Sequence, residues 1–242
     1  MNETIKQLRN RKSVRAFEDR KIDENLVNEI LEAACQAPTA GNQQLYTIIR
    51  VTDPKLLERL SESCDHQPFI KNGKLVLVFC ADCLKWQKAY EYGGCEPREP
   101  GAGDLMLAAV DAVIAAQNAV VAAESLGIGS CYIGDILENC EEQRDILGIP
   151  DYVMPAAMLV FGYPTEQQKN RSKPARSELK YIVSENRYPE MDACYVRNML
   201  EQKSGELPYD AWIKAFFKRK YDSDFSREMS RSVEKYLEQY RR

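Results

Sequence analysis

DLMLAAVDAVIAAQNAVVAAESL, residues 104–126, is the stretch that decides how this chain folds. Ala, Val, Leu and Ile fill nearly all of it, and a helix of this length is roughly 35 Å long at ~1.5 Å per residue. That length suits a membrane span, but Asp111, Gln117 and Asn118 fall inside it, and a charged group near a bilayer centre is costly. The reading is therefore a central buried helix of a globular protein, ending at Gly127. A helix apolar around most of its circumference needs cover on every side. One chain of 242 residues does not supply that alone, so a partner chain is expected.

Composition agrees with a globular core, since 44% of the residues are hydrophobic. No repeat, low-complexity tract or clean domain boundary interrupts the chain. A net charge of −4 gives no general electrostatic reason to bind nucleic acid or an anionic membrane, so any phosphate must be held locally. The start, Met1 to Leu8, lacks the apolar run of a secretory signal, and cytoplasmic residence is expected, with the eight cysteines reduced. Only Cys80 and Cys83 are closely spaced. A zinc ribbon needs a second such pair, and Cys80 closes the apolar run Leu75–Phe79, which makes it a buried strand residue; a redox pair is the alternative. His66 is the only histidine, which argues against a two-histidine metal site and leaves any hydrolytic triad dependent on this position.

Outward from the long helix, Asp23 caps a helical pattern of Leu26, Val27, Ile30, Leu31 and Ala34 that Pro38 stops. A strand is expected over 45–51, a surface helix over Pro54–Ser63, an interior strand over Lys74–Ala81 and another strand over Val153–Tyr163. Residues 93–103, rich in Gly, Pro and charge, read as a surface excursion. Gly127 and Gly129 do not begin a dinucleotide fingerprint, because its third glycine falls at Tyr132. A basic loop after Pro164 carries Lys169, Arg171, Lys173 and Arg176. The last third alternates helical patterns with mixed charge, and Lys218-Arg219-Lys220 is offset by Asp222 and Asp224, as on a solvated face.

Two clusters carry chemistry. Arg11-Lys12-Ser13-Val14-Arg15 packs three cations and a hydroxyl together; in an extended segment Arg11, Ser13 and Arg15 share a face and converge on a phosphate, unless the segment is only a solvated basic turn. Asn42, Gln43 and Gln44 gather amides at a loop-to-strand corner, where they either form a turn or read the edge of a polar heterocycle.

The order of these pieces resembles the flavin-dependent nitroreductase family, in the subgroup of the oxygen-insensitive major nitroreductase and the P-type flavin reductase of bacteria. The likeness rests on residues 11–15, the loop Ala37 to Asn42, residues 111–127, Tyr132-Ile133-Gly134 and Phe161-Gly162-Tyr163-Pro164, and it covers most of the chain. It implies an α+β fold: a three-layer sandwich with a mixed, mainly antiparallel sheet flanked by helices, and a long central helix at a dimer interface. Residues 1–242 are then one FMN-binding domain, 93–103 its surface excursion and 180–242 a C-terminal extension wrapping the partner subunit.

By the same resemblance the protein is a homodimer with FMN between its subunits. Arg11, Lys12, Ser13 and Arg15 hold the FMN phosphate and ribityl chain, with charge added by Lys173 and Arg176. Thr39, Asn42 and Gln67 contact polar atoms of the ribityl chain and ring, and Tyr132, Ile133 and Gly134 line the ring. NADPH or NADH delivers hydride to the flavin and leaves, and a small aromatic acceptor (a nitroaromatic, quinone or free flavin) then takes two electrons. No obligatory catalytic side chain and no metal are expected. The alternatives are a flavin-binding redox sensor or carrier with incidental turnover, and an interaction module built on the long helix.

Overall fold

A computed structural model describes residues 2–241, divided into two compact units: one runs to Arg171 and resumes at Glu228, and the other is Ser172–Arg227. In chain order the first unit contains α1 (Glu3–Asn10), α2 (Glu24–Cys35), β1 (Tyr46–Val51), α3 (Pro54–Ser63), β2 (Leu75–Asp82), α4 (Leu84–Tyr92), α5 (Ala102–Ser125), β3 (Gly129–Ile133), α6 (Cys140–Leu147), β4 (Val153–Gly162) and α7 (Glu166–Asn170). The second unit contains α8 (Ala193–Leu200) and α9 (Tyr209–Lys220). The last helix, α10 (Asp224–Leu237), is divided between the units at Glu228.

The four strands form one sheet in the order β1-β2-β4-β3, with every neighbouring pair antiparallel. An isolated parallel bridge joins Ser13, outside the four strands, to Ser130 of β3. β2 is buried along its whole length, as an interior strand must be. Its pleat sends Leu75, Leu77 and Phe79 to one layer and Val76, Val78 and Cys80 to the other. The first set packs on Val27, Ile30 and Ala34 of α2 and the alanines of α5; the second packs with Leu60 of α3 and Ile146 of α6. The result is three layers: α2 with α5, the sheet, and α3 with α6. Between Phe79 and Cys80 the register slips by one residue opposite β4, beside Pro155, whose nitrogen has no hydrogen to give the ladder.

α5 lies close to the sheet because its inward residues are small: Ala108, Ala112, Ala115, Ala116, Ala119 and Ala123 are fully buried. It is the one helix among the described residues long and apolar enough to cross a membrane, yet it is packed against α2 and the sheet. Its N-terminus is fixed by Asp104, which accepts from Gly101 N at 2.7 Å and pairs with both arms of Arg98 at 2.6 and 2.9 Å. The excursion after α4 therefore ends at Gly101, two residues before the position read from the sequence.

The segment 11–17 is laid across β3 and β4. Val14 sits where any Cβ on Gly129 would come within 2.7 Å, and the Phe17 ring where one on Gly162 would come within 2.6 Å. These two glycines admit the segment that carries the basic cluster.

Candidate functional site

β3 is the spine of the site. Beside it, Val14 N donates to Ser130 O at 2.9 Å, and Val14 is buried, so alternation turns Arg11, Ser13 and Arg15 to one face and Lys12 to the other. The inward neighbour is Cys131, where the positive charges of Arg15, Arg11 and Arg171 and a bond from Ser13 oppose burial; burial prevails, and the thiol is pushed up. The charges of Arg11, Arg15 and Arg171 are thus all felt at this one strand residue. The Arg11 guanidinium lies 5.9 Å from the centre of the Tyr132 ring, and its Nε and one NH2 are buried without a hydrogen-bond partner among the described residues. Buried donors left unpaired are costly, and an anion with several acceptor oxygens satisfies them.

Lys12, on the opposite face, acts as a clasp: its Nζ donates to Lys169 O at 2.7 Å and to Arg171 O. Arg171 returns a bond to Ser13 O at 2.7 Å, and Gln168 Oε1 accepts from Arg15 N at 3.2 Å. The loop after β4 is in this way laced to the basic segment, and Arg171 joins the cluster. Lys173 and Arg176 belong to the second unit, where Arg176 O accepts from Gln202 Nε2 at 3.0 Å.

Further along β3, Tyr132 donates from its hydroxyl to Gln117 Oε1 of α5 at 3.3 Å, and burial pushes its phenol up to about 12, so it stays neutral at ordinary pH. Ile133 is buried, and Gly134 is exposed. Just beyond, Asp135 accepts from Gln67 Nε2 at 3.0 Å, while the same nitrogen donates to Cys64 O at 2.9 Å. Gln67 is reached through Asp65 and His66, both with positive φ (60° and 50°), which turn the chain sharply after α3. Arg11, Ser13, Arg15, Tyr132, Ile133, Gly134 and Gln67 are therefore distributed along one strand and its continuation.

Thr39 and Asn42 are held elsewhere. Asp111, 3% exposed in the middle of α5, accepts from the Thr39 hydroxyl, from Ala40 N at 3.1 Å and from Leu45 N at 3.2 Å. Thr39 Oγ1 in turn accepts from Gln44 N at 2.7 Å. This buried carboxylate holds a loop in which Gly41, Asn42 and Gln44 all have positive φ, and Asn42 is exposed. Along α5, Asp111 and Gln117 lie about 9 Å apart, but about 120° apart around the axis. The loop and Tyr132 are thus anchored to different sides of the helix.

A profile of the nitroreductase family matches residues 8–163. The chain belongs to the nitroreductase family. Within it, an FMN reductase [NAD(P)H] of Bacillus subtilis is 31% identical over 240 residues, covering 98% of this chain and 92% of the relative. Among solved structures, an oxidoreductase of Bacteroides fragilis superposes with a TM-score of 0.88 at 26% identity, covering 97% of this chain and 98% of the other. The NfrA1 nitroreductase of B. subtilis gives a TM-score of 0.79 at 29% identity, covering 94% and 98%. These likenesses agree with the α+β sandwich and the central helix described above.

Three residues of the site were not singled out from the sequence. Arg171 was one of four cations in a loop, and only its long-range bond to Ser13 distinguishes it. Asp135 carried no signal. Asp111 did carry one: a carboxylate in an otherwise apolar helix must find donors. Cys80 and Cys83 are buried thiols, pushed up to about 12 and about 11 by burial, which suits structural residues rather than a reactive pair.

Proposed function

We infer that this chain is an FMN-dependent NAD(P)H oxidoreductase that reduces small aromatic acceptors, namely nitroaromatics, quinones or free flavins. The observation that carries the reading is that two nitrogens of the Arg11 guanidinium are buried without a partner, in the same short segment as Arg15 and as Ser13, whose carbonyl Arg171 bonds. The set fits a phosphate dianion. Arg11, Arg15, Arg171 and Ser13 would hold the phosphate, with Lys12 keeping the 169–171 loop against them; Lys173 and Arg176 are further contributors proposed from the family resemblance. Tyr132, Ile133, Gly134 and Gln67 would border the ring, and Thr39 and Asn42 would meet it from a second subunit, as their anchorage on a different side of α5 supports. When bound, FMN supplies the two-electron chemistry. The protein's residues are then required only to position, orient and exclude water.

A homodimer is part of the proposal. Met106, Leu107, Val110 and Val113 expose between 44% and 64% of their surface along α5, an apolar stripe that a second copy would cover. Residence in the cytoplasm is proposed with it and is supported by eight thiols without a disulfide among the described residues. The test is the visible spectrum of purified protein, followed by anaerobic mixing with NADH and NADPH. A flavin spectrum that either nicotinamide bleaches is expected; a bound flavin that neither reduces removes the reductase reading and leaves a carrier.

A further inference from the structure

We propose that Gln67 presents only its carbonyl oxygen to a bound heterocycle, and that Asp135 and Glu138 are the positioning residues that fix this polarity. The inference rests on the FMN reading above. Gln67 Nε2 faces a backbone carbonyl and a carboxylate, neither of which can donate to it when Asp135 is ionised. The amide nitrogen must therefore point inward, and both of its hydrogens are engaged. Oε1 has no donor among the described residues, and Gln67 is only half-buried, so the oxygen is the group left for a ligand. It selects an N–H or O–H donor and disfavours an acceptor.

Behind Asp135 lies Glu138, 7% exposed, whose backbone N donates to Asp135 O at 3.0 Å and whose carboxyl faces the Asp135 carboxylate. Its Oε1 is buried without a partner. Facing it are Asp135, Asp65 from the turn after α3, and Glu228 from α10; Glu228 is itself paired with Arg231 at 2.8 Å. Burial first, and then these three carboxylates, push Glu138 up to about 7. At lower pH its proton bridges the pair and Asp135 is held still. At higher pH two carboxylates repel, and the support of Gln67 loosens.

The experiment is FMN affinity by flavin fluorescence, on wild type, Asp135→Asn and Glu138→Gln between pH 5.5 and 8.5, each checked for folding by thermal melt. Asp135→Asn, which can donate to the Gln67 oxygen and lets the amide turn over, is expected to weaken FMN by about five- to tenfold with its melting temperature little changed. Wild-type affinity is expected to fall by about threefold or more across neutrality relative to Glu138→Gln, in which the proton-bridging position cannot ionise. The FMN phosphate, with its own ionisation near about pH 6, affects both proteins equally and cancels. Parallel pH profiles for wild type and Glu138→Gln, or an Asp135→Asn affinity equal to wild type, would overturn the inference while leaving the flavin site intact. Wild type that binds no FMN at any pH would sink both.

Discussion

At the level of single residues, what separates the members of the basic cluster is where their charge is already used. Lys12 is engaged with two carbonyls, while Arg11 has buried donors waiting for an acceptor. Arg11→Ala is accordingly expected to weaken FMN by about 1.5–3 kcal/mol, roughly ten- to a hundredfold in Kd, and Lys12→Met by less, since it only loosens the 169–171 clasp. Fluorescence titration ranks the two, and the reverse order would move the phosphate away from Arg11. Alternation along an extended strand made this face legible from the sequence. Arg171 was not legible, because nothing local marks which loop cation returns to Ser13. Glu138 adds a prediction about stability. Its pKa is raised in the folded chain from 4.5 to about 7, so the native state holds the proton more tightly than the unfolded chain does. Stability from this group is complete below the unfolded value and is lost as pH rises through about 7. Glu138→Gln is thus expected to be more stable than wild type by about 1–3 kcal/mol at pH 8, with the gain vanishing near pH 4.5, as urea unfolding at the two pH values will measure.

Among the elements, the loop Thr39–Leu45 shows how one helix residue shapes a site. Asp111→Ala leaves the amides of Ala40 and Leu45 without their acceptor and releases three positive-φ residues. A loss of about 2–4 kcal/mol in urea unfolding is expected, with Asp111→Asn milder because one oxygen survives. The helices that the sequence announced are those with local signals: Asp23 caps α2 by accepting from Asn25 N at 2.8 Å, and Asp53 caps α3 by accepting from Lys55 N at 2.8 Å, with Pro54 following. β2 announced itself by an unbroken apolar run. α4 and α6 did not. α4 buries no residue and Cys83 gives it no side-chain cap; α6 follows Asn139 at φ 50° and buries Cys140 and Gln143 beside Ile146, so its inward face carries little apolar period. The contact of Gly162 with Phe17 was also hidden, because it depends on two segments far apart in sequence. Gly162→Val must displace that ring and the strand behind it, and the yellow colour of the purified protein is expected to fade with it, read as the flavin-to-protein absorbance ratio.

For the whole molecule, the question is what covers α5. Inward, its alanines let α2 and the sheet approach closely; outward, Met106, Leu107, Val110 and Val113 remain in solvent, and on α1 Ile5 and Leu8 are 40% and 46% exposed. The sequence foretold the uncovered face, because a helix this apolar has no polar side to give to water. It did not foretell that the two groups of site residues would be fastened to different sides of the same helix, which is a property of three-dimensional packing. One consequence joins the two observations: if the uncovered stripe is the subunit contact, breaking it removes both the partner and half of the site. Val110→Asp with Val113→Asp puts two charges into that stripe without touching the basic cluster or the Asp111 loop. The variant is expected to run as a monomer in light scattering at micromolar concentration and to lose FMN in the same step, because Thr39 and Asn42 of the second copy leave with it. A monomer that keeps its flavin would place the whole site within one chain, and a variant that stays dimeric would put the subunit contact on another face.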